Sequence, residues 1–299
     1  MDYKRIIRSQ TLRFRILKAF SWVPDSWMIR LQYRIKTGRW PNLEHPQRFT
    51  EKLQVYKMKY RNPTIQQCVD KFEVRKYVES KGLGDILNEL YGVYNMVDRV
   101  ELKQLPQQFV IKSCLGSGGQ NVLIVKDKDD RKNDIIDKEI KKMRSLKDSY
   151  AILGREWAYY GHCQNRIIIE KYLEEEGGLI DYKFFCFNGE PRFLYVITDR
   201  IMGKSATLGV YDMDFHKISV YRCDEMREEQ SLEIPMNFAE MKNVAKRLSE
   251  DFPHVRVDLY NLKGKIYFGE LTFYDGSGYF NYDPDEFDFQ VGSYFTEYN

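Results

Sequence analysis

One seventeen-residue stretch limits the folds open to this chain more than any other: Arg256-Val257-Asp258-Leu259-Tyr260-Asn261-Leu262-Lys263-Gly264-Lys265-Ile266-Tyr267-Phe268-Gly269-Glu270-Leu271-Thr272. Apolar and aromatic residues flank Asn261 to Gly264, a turn composition, and the pattern predicts an antiparallel hairpin. Folding there sets Asp258 against the region of Phe268 to Glu270. The two-residue period of a strand then places Arg256 with Asp258 on one face, and Glu270 with Thr272 on one face. Val257, Leu259, Phe268 and Leu271 make the hairpin a buried one, where an unpaired acid is costly. Asp258, Glu270 and Thr272 are an all-oxygen donor set suited to magnesium, which binds through one or two carboxylates plus substrate phosphates. Arg256 beside them can grip a transferring phosphoryl group bidentately. The plainer alternative is a surface ion pair on an amphipathic hairpin.

A second feature is Lys112-Ser113-Cys114-Leu115-Gly116-Ser117-Gly118-Gly119-Gln120, set between two apolar runs, Phe109 to Lys112 and Asn121 to Val125. Glycines let successive backbone N–H groups converge on an anion. The G-K-[ST] ending of a Walker loop is missing, and a strand rather than a helix follows, which excludes a dinucleotide fingerprint. Strand, glycine-rich turn and strand make a flap over phosphates with Lys112 at its base, or a mobile surface hairpin.

The rest of the pattern is α+β with antiparallel hairpins. Residues 1–60 read as basic and helical, and Gln66 to Ser80 reads as one helix ended by Gly82 and Gly84. A charged helix spans roughly Asp129 to Lys147. Arg166 to Glu170 is a continuous apolar strand. Lys183 to Phe187 and Arg192 to Ile197 flank a turn at Asn188 to Pro191; Leu208 to Tyr211 and Lys217 to Tyr221 suggest another pair. A helix near Asn237 to Glu250 precedes the key hairpin. The aromatic tail at 279–299 is expected to pack on the body.

Charge narrows the partners. Lys and Arg number 47 against 44 Asp and Glu, a net of +3, so the molecule is no polycation and nucleic acid is not expected. Residues 1–40 nevertheless carry ten basic groups against Asp2 and Asp25, which leaves the remainder mildly acidic. Such an arm suits an anionic membrane surface or acidic polymer, or is simply a solvated face. Five cysteines, an odd number without C-x-x-C, point to free thiols in a reducing, cytoplasmic compartment. No run is long and apolar enough to span a bilayer, and the charged start lacks a secretory core. The four histidines show no metal-ligand spacing. Asp212-Met213-Asp214 is a D-x-D of the kind that holds a metal on a sugar nucleotide, but it falls where a hairpin turn is expected.

In their order these elements resemble the ATP-grasp superfamily, specifically its TupA-like branch, associated with teichuronopeptide and bacterial surface-polysaccharide synthesis. The resemblance runs from Tyr33-Arg34 and Phe49-Thr50-Glu51-Lys52-Leu53-Gln54 through Val69-Asp70-Lys71, Phe109 to Gly119, Ile169-Glu170-Lys171-Tyr172-Leu173 and Asp181 to Gly189, ending at Arg256 to Thr272. It implies an ATP-grasp fold that holds ATP between two α+β subdomains built on antiparallel sheets, behind a basic helical amino-terminal segment. The implied division is 1–60, 61–108, 109–172 carrying the flap, and 173–299 carrying the metal site. Lys71 and Lys112 would reach the nucleotide phosphates, under a flap of Ser117, Gly118 and Gly119. Glu170, Tyr172 and Leu173 match the adenine hinge, and Asp181 falls near the ribose. Lys183 and Arg200 would face the reacting phosphate or carboxylate, with Arg256 as the transition-state arginine. Asp258, Glu270 and Thr272 match the Mg²⁺ triad, Thr272 standing where the family usually has Asn. Gly276, Ser277 and Gly278 resemble the acceptor loop. The implied activity is ATP-dependent carboxylate–amine ligation through an acyl phosphate, joining an amino acid or amine to a glycan carboxylate. The rival expectations are a kinase on this scaffold, a D-x-D glycosyltransferase, and a non-catalytic glycan-binding protein.

Overall fold

The computed structural model describes residues 10–95, 98–114, 121–129, 133–145, 154–159, 166–175, 178–201 and 205–297. Among these, two sheets position everything that follows. The smaller has four antiparallel strands in the order β1-β4-β2-β3, where β1 is Leu90–Tyr94, β2 is Phe109–Ser113, β3 is Val122–Val125 and β4 is Ile167–Lys171. Strand alternation sorts its two faces. Phe109, Ile111, Val125, Ile167 and Ile169 bury themselves against Ile136, Ile140 and Met143 of helix Asn133–Ser145. Val110, Lys112, Ile168 and Glu170 occupy the other face.

The larger sheet has the order β11-β10-β5-β6-β7-β9, with β5 at Asp181–Phe187, β6 at Glu190–Ile201, β7 at Ser205–Tyr211, β9 at Met226–Arg227, β10 at His254–Leu262 and β11 at Lys265–Thr272. Its pairings are antiparallel except β7 with β9. Helix Phe238–Ser249 covers one face, stacking Phe238 on Phe184 with ring centres 5.9 Å apart. Val255, Val257 and Leu259 share that face through their pairing with Cys186, Phe184 and Tyr182.

The opposite face is divided. At one end Phe185, Phe187, Phe193 and His254 meet Phe49, Phe287 and Phe295 at ring-centre distances of 5.1 to 6.2 Å. The aromatic tail therefore packs on the body, as its composition suggests. Each fully buried phenylalanine contributes about 1.5–3 kcal/mol of transfer free energy, so this end anchors the fold. One step further along the same strands, the side chains become Lys183 and Asp181 on β5, and Arg256 and Asp258 on β10.

Several local expectations change. The single helix over Gln66 to Ser80 is two, Pro63–Val69 and Val74–Ser80. Asp70 breaks it, because its carboxylate accepts the backbone N–H groups of Phe72 at 2.8 Å and Glu73 at 3.1 Å. The turn after β5 shortens to Asn188-Gly189, both with positive φ, so Glu190 and Pro191 belong to β6. Lys217 to Tyr221 is no partner strand; it touches β7 through one bridge, Tyr211 with Lys217, and the chain moves on to pair Tyr221–Arg222 (β8) with Tyr282–Asp283 (β12).

Candidate active site

The predicted hairpin forms with the register its turn implies. Lys263 and Gly264 close it with positive φ, and Asp258 stands opposite Glu270 while Arg256 stands opposite Thr272. The register shifts after Asp258, so Leu259 pairs with Phe268 and Gly269 is the extra residue of a bulge. A Cβ at Gly269 would lie 2.9 Å from the Asp258 carbonyl oxygen, closer than real contacts allow. Glycine here is what lets β11 approach the aspartate.

Arg256 is the hub. Its Nε donates to Asp258 Oδ1 at 2.7 Å, and its Nη2 donates to Asp258 Oδ2 at 2.7 Å, Thr272 Oγ1 at 3.0 Å and Glu270 Oε1 at 3.4 Å. Lys183 from β5 donates to Asp258 Oδ2, and its ammonium lies 3.6 Å from Asp181. Burial pulls the Arg256 guanidinium down, but Asp258 and Asp275 outweigh it and hold it well above its ordinary value. Burial likewise pushes Asp258 up, yet Arg256 and Lys183 prevail and keep it below the usual carboxylate range. Arg256 and Asp258 are therefore both charged at neutral pH. Asp258 is 1% exposed, whereas the Glu270 side chain keeps 43% of its surface.

Sequence reasoning missed the group that holds Arg256 from behind. Asp275 is buried and accepts from Arg256 Nη1 and, at 2.9 Å, from Arg222 Nη1. Asp275 opens the loop Asp275–Gly278, whose next three residues all have positive φ, at 50°, 54° and 69°. A Cβ at Gly278 would lie 2.3 Å from Gln54 Nε2, so the loop is pressed against helix Phe49–Lys59. Ser277 O accepts from Gln54 Nε2 at 2.9 Å and Lys57 Nζ at 3.2 Å, and Ser277 Oγ hydrogen-bonds Glu156. Burial drives the Lys57 ammonium down to about 7 against the pull of Glu156, and burial raises the Glu156 carboxyl.

On the smaller sheet, Lys112 Nζ donates to Glu170 Oε2 at 2.7 Å. Arg75, which sequence reading did not single out, donates to Glu170 Oε1 at 3.2 Å and to the Asn88 carbonyl at 2.9 Å. Glu170 is thus clamped between two cations, beside buried Val110 and Ile168. Tyr172 and Leu173 follow β4 as half-buried coil, with the Lys126 ammonium 5.5 Å from the Tyr172 ring centre. Lys71 sits in the turn after Asp70, and Asp70 itself pairs with Arg166 at 2.9 Å. Ser117, Gly118 and Gly119 lie outside the described residues, as does the side chain of Arg200, whose backbone belongs to β6. Asp212 of the D-x-D accepts the backbone N–H groups of Asp214 at 2.9 Å and His216 at 2.8 Å, which makes it a turn former.

Asp258, Glu270 and Thr272 are the residues that could hold a hard divalent cation, in exchange for the Arg256 and Lys183 contacts that now occupy both Asp258 oxygens. Two carboxylates and a hydroxyl share one surface, and Glu270 retains solvent access. Among the described residues no group of three or more His, Cys, Asp and Glu is placed to hold a metal ion.

The family model described as TupA-like ATPgrasp matches residues 51–296. No curated protein matches. Among solved structures, the chain is similar to D-alanine–D-alanine ligase from Bacillus anthracis complexed with ATP, at 16% identity and TM-score 0.42, covering 69% of this chain and 55% of that one. It is also similar to an L-amino acid ligase from Bacillus licheniformis, at 16% identity and TM-score 0.40, covering 71% of this chain and 42% of that one. The chain thus spans about half the length of the solved structures it matches.

Proposed function

Since this chain belongs to the TupA-like ATP-grasp family and has the ATP-grasp fold, we propose that it is an ATP-dependent carboxylate–amine ligase acting on a bacterial surface glycan. The observation that carries the reading is the single Arg256 guanidinium within 3.4 Å of Asp258, Glu270 and Thr272. One cation set against two acids and a hydroxyl suits a site that stabilises charge moving from a nucleotide to an acceptor oxygen. A carboxylate is a poor electrophile; phosphorylated, it becomes an acyl phosphate that an amine displaces to give an amide, ADP and phosphate.

The chain's own residues divide that work. Arg256 orients the transferring group and, with Lys183, keeps Asp258 ionised. Asp258, Glu270 and Thr272 would hold magnesium, which when bound neutralises phosphate charge. Lys112, set by Glu170, faces the phosphates, while Val110, Ile168, Tyr172 and Leu173 take the base. Lys71, Asp181 and Arg200 belong to the same reading as further nucleotide and substrate contacts, and the Gly276–Gly278 loop receives the acceptor. Among the described residues Cys68, Cys114, Cys186 and Cys223 are unbridged, which suits a cytoplasmic site of action.

The test is a screen of acid–amine pairs, following ADP and phosphate release and identifying products by mass spectrometry. Ligation predicts ADP release that requires both substrates. Glu270→Gln should lower turnover by about 10²–10³-fold with an unchanged melting temperature, because the side chain is half exposed. ADP release that needs no amine would transfer the protein to the kinases, and sugar-nucleotide turnover unaffected by Glu270→Gln would sink the ligase reading.

A further inference from the structure

Among the described residues twelve large apolar side chains are exposed, and eight fall between residues 12 and 40. They include Trp22 at 78%, Trp27 at 71% and Trp40 at 62%, three of the chain's four tryptophans. The helices explain the pattern. In Asp25–Thr37, Met28, Ile29, Gln32, Tyr33 and Thr37 are buried against the body, whereas Trp27, Leu31 and Ile35 recur every four residues along the opposite side and are exposed. Ile16 and Phe20 repeat that spacing at the end of helix Gln10–Ala19. Exposed Arg15, Lys18 and Arg34 accompany these stripes. Asp25, the one acid of the described residues up to 40, is paired with Arg155 at 2.7 Å.

We propose that this helical pair is an interfacial anchor that seats the protein on the surface of an anionic phospholipid bilayer. Tryptophan and leucine beside lysine and arginine is the composition of helices that lie in the headgroup layer. No described helix is long and apolar enough to cross a membrane, so the contact is peripheral. Charge selects the occupant: a second copy of this chain would set like charges together, whereas an anionic leaflet neutralises them. The anchor is held to the body by buried Arg155, which donates to the carbonyls of Phe20 at 2.9 Å and Val23 at 3.0 Å. Arg155 keeps a positive φ of 56°, a conformation that persists where surroundings fix it. The inference stands whether or not the ligase reading does.

Flotation of the full chain with vesicles of phosphatidylcholine alone, or mixed with phosphatidylglycerol, tests it. Binding to the anionic vesicles, a blue shift of tryptophan emission, and weakening as screening shortens to about 4 Å in high salt are expected. The combined variant Trp22→Ser, Trp27→Ser and Trp40→Ser should lose about tenfold or more of that affinity while keeping its melting temperature. Arg15→Gln with Arg34→Gln should reduce it on anionic vesicles alone. No flotation with either vesicle overturns the proposal. So does self-association abolished by the tryptophan variant without vesicle binding, or binding to a soluble acidic polysaccharide alone.

Discussion

Asp275→Ala offers the sharpest test of how the site is held together. The carboxylate is 2% exposed and bridges Arg256 and Arg222. Its removal deletes two charge-assisted hydrogen bonds worth about 1.5–3 kcal/mol each. It also strands part of two buried guanidiniums, and removing one partner of a buried pair costs about 3–5 kcal/mol. Arg222 keeps Asp224 at 2.8 Å and Arg256 keeps Asp258 at 2.7 Å, which favours the lower end, about 3 kcal/mol. At about 2–4 °C per kcal/mol for a chain of this size, the melting temperature should fall by about 6–12 °C. Asp275→Asn should recover only part of this, because its amide points an N–H toward one of the cations. Differential scanning calorimetry on Asp275→Ala, Arg222→Met and the double variant is the assay, and the two losses should couple by more than about 1 kcal/mol. A fall under about 2 °C, or strictly additive losses, would refute the idea that Asp275 braces Arg256.

The other expectations address the bulge and the buried lysine. Gly269→Ala places a methyl against the Asp258 backbone, where the gap is 2.9 Å; overpacking of this sort costs about 1–3 kcal/mol, and nucleotide turnover should fall further than stability does. Lys57 gives up its proton near pH 7 in the folded chain, against 10.5 when unfolded. The unfolded chain therefore binds more protons between those limits, so the burial penalty is full below pH 7 and fades as pH rises toward 10.5. Lys57→Met should flatten that slope, measured as urea midpoints at about pH 6.5 and 9.

What the sequence made legible was local. The hairpin Arg256 to Thr272 could be folded on paper because its turn residues and two-residue period fix the register, and Asp258 does face Glu270. Helix Phe238–Ser249 and strand β4 were equally plain from apolar spacing. The groups that complete the site were not. Arg222 lies 53 residues from Asp275, and Arg75 lies 95 residues from Glu170. No periodicity encodes a pairing over such distances; it exists only once the sheets have formed. The break at Asp70 escaped because an aspartate that caps the following residues looks, in sequence, like any charged position on a helix. The acid ahead of Gly276-Ser277-Gly278 was the one available hint of Asp275, since consecutive left-handed residues need something to hold them.

Arg155 and Glu156 are neighbours that grip in different directions, one the turn between the first two helices and the other the serine of the Asp275–Gly278 loop. A single peptide unit, about 3.8 Å between Cα atoms, therefore joins the turn between those helices to the bracket behind Arg256. Under the two proposals above, a bilayer beneath the tryptophans would hold the site at one elevation, and an acceptor would have to be delivered to that height.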